Sequence, residues 1–207
     1  MASALIHIAI AKVLENKLNI DNKKDYYLGS IAPDISKQIG AKRDISHFSQ
    51  NMKDGIPNID LFVKRYPTFK YNSFTLGYFT HLYVDKLWRE DAFSKVLNEN
   101  SIKLLDGTIV DTTPEEIKEL IYSDYTTLNR DLIDTYNLDL SLFYEDFQIP
   151  DTMLNEIPIN KLDILINKMG IIIENSKKEK QYIIDKFLVE EFIDNCTKEL
   201  LKEIEKY

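Results

Sequence analysis

The stretch from Tyr71 to Trp88, YNSFTLGYFTHLYVDKLW, has few places to sit in a folded chain. Phe74, Leu76, Tyr78, Phe79, Leu82, Val84, Leu87 and Trp88 make it apolar on nearly every side of a helix, so it belongs in an interior. Asn72 or Ser73 can cap its start, and the pattern predicts a central helix over 72–97. Two polar groups ride on it. His81 and Asp85 are four residues apart and project from one face, a turn from each other. A carboxylate sunk among apolar side chains is costly unless it is paired or bound to a cation. The remainder of the chain has to supply that partner.

With 207 residues, 44% of them hydrophobic, the chain can build one substantial core but hardly two, so a single domain over 1–207 is expected. The net charge of −8 argues against a nucleic-acid binder that works by bulk electrostatics. It leaves phosphate chemistry open, because a metal ion brings positive charge that composition does not display. The lone cysteine, Cys196, excludes an intramolecular disulfide and fits a reducing cytoplasm. It reads as a small packing residue rather than a nucleophile. No apolar run reaches the ~18 residues of a transmembrane helix. The opening MASALIHIAIAKVLENKL has no basic segment before its apolar one, and reads as a first helix rather than a signal peptide.

Elsewhere the periodicity is mostly helical. Ala4, His7, Ala11, Leu14 and Leu18 form a one-face stripe that predicts a helix over 3–18. Residues 19–55, with Gly29, Pro33 and Gly40, read as turn-rich. Asn58 caps a short helix that ends before Pro67. Asp106-Gly107 between aliphatic runs predicts a small β-hairpin near 102–110. Thr113-Pro114-Glu115-Glu116 is a helix start, and that helix runs to about Tyr136. Two more are expected over 159–175 and 177–206. The fold class is therefore all-α, a multi-helix bundle with one hairpin, and its oligomeric state is not legible.

The three histidines, His7, His47 and His81, each lie beside residues that draw them inward. Asp34 follows Ala32-Pro33 in a turn whose proline restrains the backbone. Three imidazoles and two aspartates match what zinc and related divalent ions prefer, and two ionised carboxylates balance a dication. The plainer reading of any one such histidine is a hydrogen-bonded core residue. What favours a metal is that all three look inward in the company of Asp34 and Asp85. Lys42-Arg43 and Lys177-Lys178 read as solvated surface, and Tyr83 and Trp88 as core. No Gly-rich phosphate loop and no Gly-x-Ser-x-Gly elbow occurs. No histidine is followed by aspartate, which counts against a nucleotide hydrolase of the HD type.

The order of His7, Gly29…Ala-Pro-Asp34, Ser-His47-Phe and Gly77-Tyr-Phe-Thr-His81-Leu-Tyr-Val-Asp85 resembles the zinc-dependent phospholipase C and single-strand nuclease superfamily, particularly its small bacterial members. The resemblance covers roughly residues 1–90. It implies an all-α fold and hydrolysis of a small phosphoester or a phospholipid head group by water activated on zinc. It implies that Asp34, His47, His81 and Asp85 hold one ion, with Asp34 also a catalytic base, and that His7 shares Asp85 with another. The family's remaining metal uses later histidines, and this chain has none after His81. Asp124 is the expected substitute, ahead of Asp91 and Asp131, and an oxygen-rich site there suits manganese, magnesium or iron. The alternative is a helical metal-binding or scaffold protein whose site has lost its chemistry. Substrate selection would fall to the loops 40–58 and 98–112.

Overall fold

The computed structural model describes residues 1–50, 52, 55–94, 96, 101–144, 148–152, 154–177 and 179–207. Parts of both expected substrate loops, at 51, 53, 54 and 98–100, lie outside the described residues, as does the end of the expected central helix at 97.

The first helix, α1, spans Ala4–Leu14, and Ser3 caps it by accepting from the Ile6 amide. It is followed by α2, Lys23–Ile31, capped by the Asn22 side chain. The 19–55 region is therefore not the turn-rich stretch expected. It contains α2, a 3-10 turn over Ala32–Asp34, and the short helices α3 (Ile35–Gln38) and α4 (Arg43–Ser46). Gly29, read as a turn, sits inside α2. Next comes α5, Ile59–Arg65, with Asn58 as its cap.

The central helix α6 covers Ser73–Leu87, capped by Asn72, and passes into a π-helical turn over Trp88–Ala92. Every residue from Phe74 to Asp85 is buried, as the all-round apolar sequence requires. Helices α1, α2, α5 and α9 (Lys186–Glu205) enclose it. The α2–α6 crossing is close because each helix offers a glycine to the other. A Cβ on Gly29 would overlap the Phe74 carbonyl oxygen, and one on Gly77 would overlap that of Tyr26.

The hairpin pairs β1 (Ser101–Lys103) with β2 (Ile109–Asp111) in antiparallel register, turning through Gly107 at φ 87°. Helix α7, Pro114–Tyr136, starts on a full Thr113/Glu116 capping box and ends at Asn137 in the left-handed region. Helix α8, Leu162–Glu174, follows a 3-10 turn at Ile159–Lys161. The last helix starts at Lys186, capped by Asp185, not near 177. Before it the amides of Tyr182, Ile183 and Ile184 donate to the Asp124 carboxylate, and backbone committed to that acceptor is not helical. One buried apolar cluster runs from Ala2 to Ile204. Among the described residues no helix is long and apolar enough to cross a membrane.

Candidate metal centre

Four elements deliver polar side chains to one buried spot. Helix α1 brings His7, α6 brings His81 and Asp85, the 3-10 turn brings Asp34, and the end of α4 brings His47. All three imidazoles are fully buried. Phe48, next to His47, takes the left-handed conformation at φ 55°, a strain of about 1 kcal/mol for a side chain of this kind. Its ring packs edge-on against Phe62, Tyr66 and Tyr78, which holds the turn that aims His47 inward.

Hydrogen bonds settle the tautomers. His81 Nδ1 is 2.8 Å from the Ser30 carbonyl oxygen, which only accepts, so Nδ1 carries the proton and Nε2 has a free lone pair. His47 Nδ1 lies 3.2 Å from the Arg43 carbonyl oxygen and 2.9 Å from Ser46 Oγ, with the same consequence. The two Nε2 atoms then face each other at 3.2 Å. Two lone pairs at that distance repel unless a cation lies between them. Asp85 Oδ2 is 3.6 Å from His47 Nε2 and 3.8 Å from His81 Nε2, and Asp34 Oδ1 is 3.6 Å from His47 Nε2. Four ligands held at about 2.1 Å around a tetrahedral ion are themselves about 3.4 Å apart. These four spacings lie near that edge, and imidazole and carboxylate donors suit a divalent ion.

His7 stacks on His81 with ring centroids 3.9 Å apart, and its Nε2 is 3.5 Å from Asp85 Oδ1. Neither of its ring nitrogens has a hydrogen-bond partner, an unusual state for a buried imidazole. The ligating atoms of His7, His81 and Asp85 lie within 4.8 Å of one another, and so do those of Asp34, His47 and His81. His81 is common to both groups.

The protonation states match metal binding. Burial, with His7 beside it, holds the His81 imidazole down at about 3, so it is neutral. Burial disfavours ionised Asp34 and Asp85, yet the imidazoles beside them, His47 for the first and His7 for the second, outweigh it. Both stay below the ordinary carboxylate range. The Asp85 side chain is 2% exposed and that of Asp34 19%, so Asp34 faces the open side.

The sixth expected ligand lies elsewhere. Asp124 is buried on α7, and its oxygens accept from the amides of Tyr182 (2.7 Å), Ile183 (2.7 Å) and Ile184 (2.8 Å). It belongs to neither group of converging ligands, and its lone pairs serve the chain before α9. Asp124 is thus corrected from expected ligand to anchor of that segment. Arg43, read as solvated surface, stands at the centre instead. Its Nη2 donates to Asp85 Oδ2 at 2.6 Å. The 42-residue separation gave no local signal of this pairing.

Residues 5–88 match the model of the family described as zinc dependent phospholipase C. The matched segment contains all five converging side chains. This N-terminal part of the chain is similar to that family, and the mostly α-helical fold is consistent with it. Family and clustered His/Asp groups together support a metal-dependent, phospholipase-like hydrolase. No curated protein and no solved structure matches the chain.

Proposed function

We propose that this chain hydrolyses phosphodiesters, in the manner of a phospholipase C, with a divalent cation held by Asp34, His47, His81 and Asp85. The facing Nε2 lone pairs of His47 and His81 carry this reading, since a shared metal cation makes their 3.2 Å approach favourable while both imidazoles stay neutral. Zinc is an ion that a set of two imidazoles and two carboxylates suits. A cation bound there polarises a phosphoryl oxygen and lowers the pKa of water.

The chain's own groups have separate tasks. The Ser30 and Arg43 carbonyls fix the His81 and His47 rings so that each presents Nε2. Asp85, the more deeply buried acid, balances charge inside the cluster. Asp34, on the open side and ionised, accepts a proton from the attacking water in this reading. His7 with Asp85 offers part of a second cation position, where manganese, magnesium or iron are further options. The substrate is a soluble phosphoester or a phospholipid head group, and the single buried Cys196 fits a cytoplasmic setting.

Elemental analysis of the purified protein and of the His81→Ala variant tests the site. Bound metal that disappears in the variant is expected, and equal metal in both contradicts the assignment. Turnover of a bis-aryl phosphodiester with zinc or manganese, faster than of the matching monoester, is expected next. Bound metal with no turnover of either ester would leave a metal-binding scaffold without chemistry.

A further inference from the structure

One cationic side chain reaches into the cluster from its rim, and nothing in the metal assignment uses it. Arg43 opens α4, the short helix that ends at His47. Its guanidinium makes three contacts. Nη2 donates to Asp85 Oδ2 at 2.6 Å, Nη1 to the Gly55 carbonyl at 3.1 Å, and Nε points at Met1 Sδ at 2.6 Å. A thioether is a weak acceptor, so that third donor is poorly used. The side chain is 30% exposed, while Asp85 beneath it is 2% exposed. The guanidinium therefore spans the boundary between the buried ligands and solvent. Among the described residues, no other arginine or lysine side chain forms an ion pair with Asp34 or Asp85.

The oxygen it holds is the contested one. Asp85 Oδ2 is also the oxygen nearest the His47 and His81 nitrogens. A cation taken up between those nitrogens draws on the same lone pairs, which weakens the oxygen as an acceptor for Arg43. The released donors stay beside the bound cation because the Arg43 backbone cannot leave. Its carbonyl accepts from His47 Nδ1. A planar fork of N–H donors at that place matches two non-bridging oxygens of a phosphate.

We propose that Arg43 is the anion-binding residue of this site. With the cation in place it exchanges Asp85 for the phosphate group of the substrate, whether that group belongs to a soluble diester or to a lipid head group. The inference rests on the phosphoesterase reading above and adds to it the residue that grips the phosphate.

Calorimetric titration of zinc-loaded protein with inorganic phosphate tests it apart from turnover. Native protein binds phosphate, and Arg43→Ala binds about ten- to a hundredfold more weakly with an unchanged zinc content. Arg43→Lys, which keeps the charge but loses the fork, falls between the two. Equal phosphate affinity in native protein and Arg43→Ala overturns the proposal. So does loss of zinc from both variants, which would make the guanidinium a support for Asp85, and so does a native protein that binds zinc but no phosphate. Failure of the underlying metal reading shows separately, as zinc content that His81→Ala leaves unaltered. Dimethyl phosphate and short-chain phosphatidylcholine micelles complete the series. The one bound more tightly by native protein identifies the source of the phosphate, and Arg43→Ala must weaken that binding.

Discussion

Replacing Gly77 with alanine probes the contact that aligns the centre. A Cβ there would overlap the Tyr26 carbonyl oxygen and lie 2.8 Å from the Ser30 amide nitrogen and 3.0 Å from the Tyr26 carbonyl carbon. Favourable non-bonded separations start near 3.5 Å, so α2 and α6 have to part by about half an ångström or more. These are backbone atoms, which cannot rotate aside as a side chain would. Overpacking of this kind costs about 1–3 kcal/mol, here at the upper end, and the better helix propensity of alanine returns up to about 1. The net expectation is a loss of about 2 kcal/mol in urea denaturation of chelator-treated protein. The second consequence follows from Ser30, whose carbonyl holds His81 Nδ1 at 2.8 Å and which sits at the same crossing. Moving α2 off α6 lengthens that bond, and loss of such a supporting contact typically weakens a metal site by about ten- to a hundredfold. A competition titration with a zinc chelator measures this. A Gly77→Ala protein with native stability and native zinc affinity would refute the claim that the glycine crossing sets the geometry of the site.

Other outcomes follow from the same structure. Asp124→Ala removes the acceptor of three amides and should cost about 3 kcal/mol in chemical denaturation, while zinc content stays native; zinc loss at native stability would restore Asp124 as a ligand. The metal-free protein should weaken in acid. His81 holds its proton only below about 3 when folded, against about 6.5 in an unfolded chain, so over that interval the unfolded state binds the extra proton. Stability from this group is complete above about pH 6.5 and falls as pH drops, by about 2 kcal/mol between pH 7 and pH 5. Urea denaturation at the two pH values measures it, and His81→Asn should flatten the difference; an equal pH response in the variant would contradict the assignment.

How much was legible varied with the physics of each residue. Helix α6 announces itself because a segment apolar on all sides has one place to go, and burial of every residue from Phe74 to Asp85 follows from that. That His7, Asp34, His47, His81 and Asp85 turn inward and converge is legible because each polar group sits in a locally apolar or restrained stretch, and buried polar groups need common company. Helix α2 is not legible because Gly29 carries two meanings. Alone it signals a turn, and only the opposing backbone of Phe74 reveals it as a spacer between helices. The place of Arg43 is not legible because a Lys-Arg dipeptide in an acidic chain looks solvated, and its partner is 42 residues away. The chain before α9 carries helix-compatible residues, yet Asp124 captures its amides, a long-range bond that no local propensity encodes.

The most direct test is anomalous diffraction at the zinc edge from crystals of the zinc-loaded protein. A peak is expected between His47 Nε2 and His81 Nε2, within bonding distance of Asp34 and Asp85. A map with no peak there, or with zinc bound only at surface acids, would contradict the central claim.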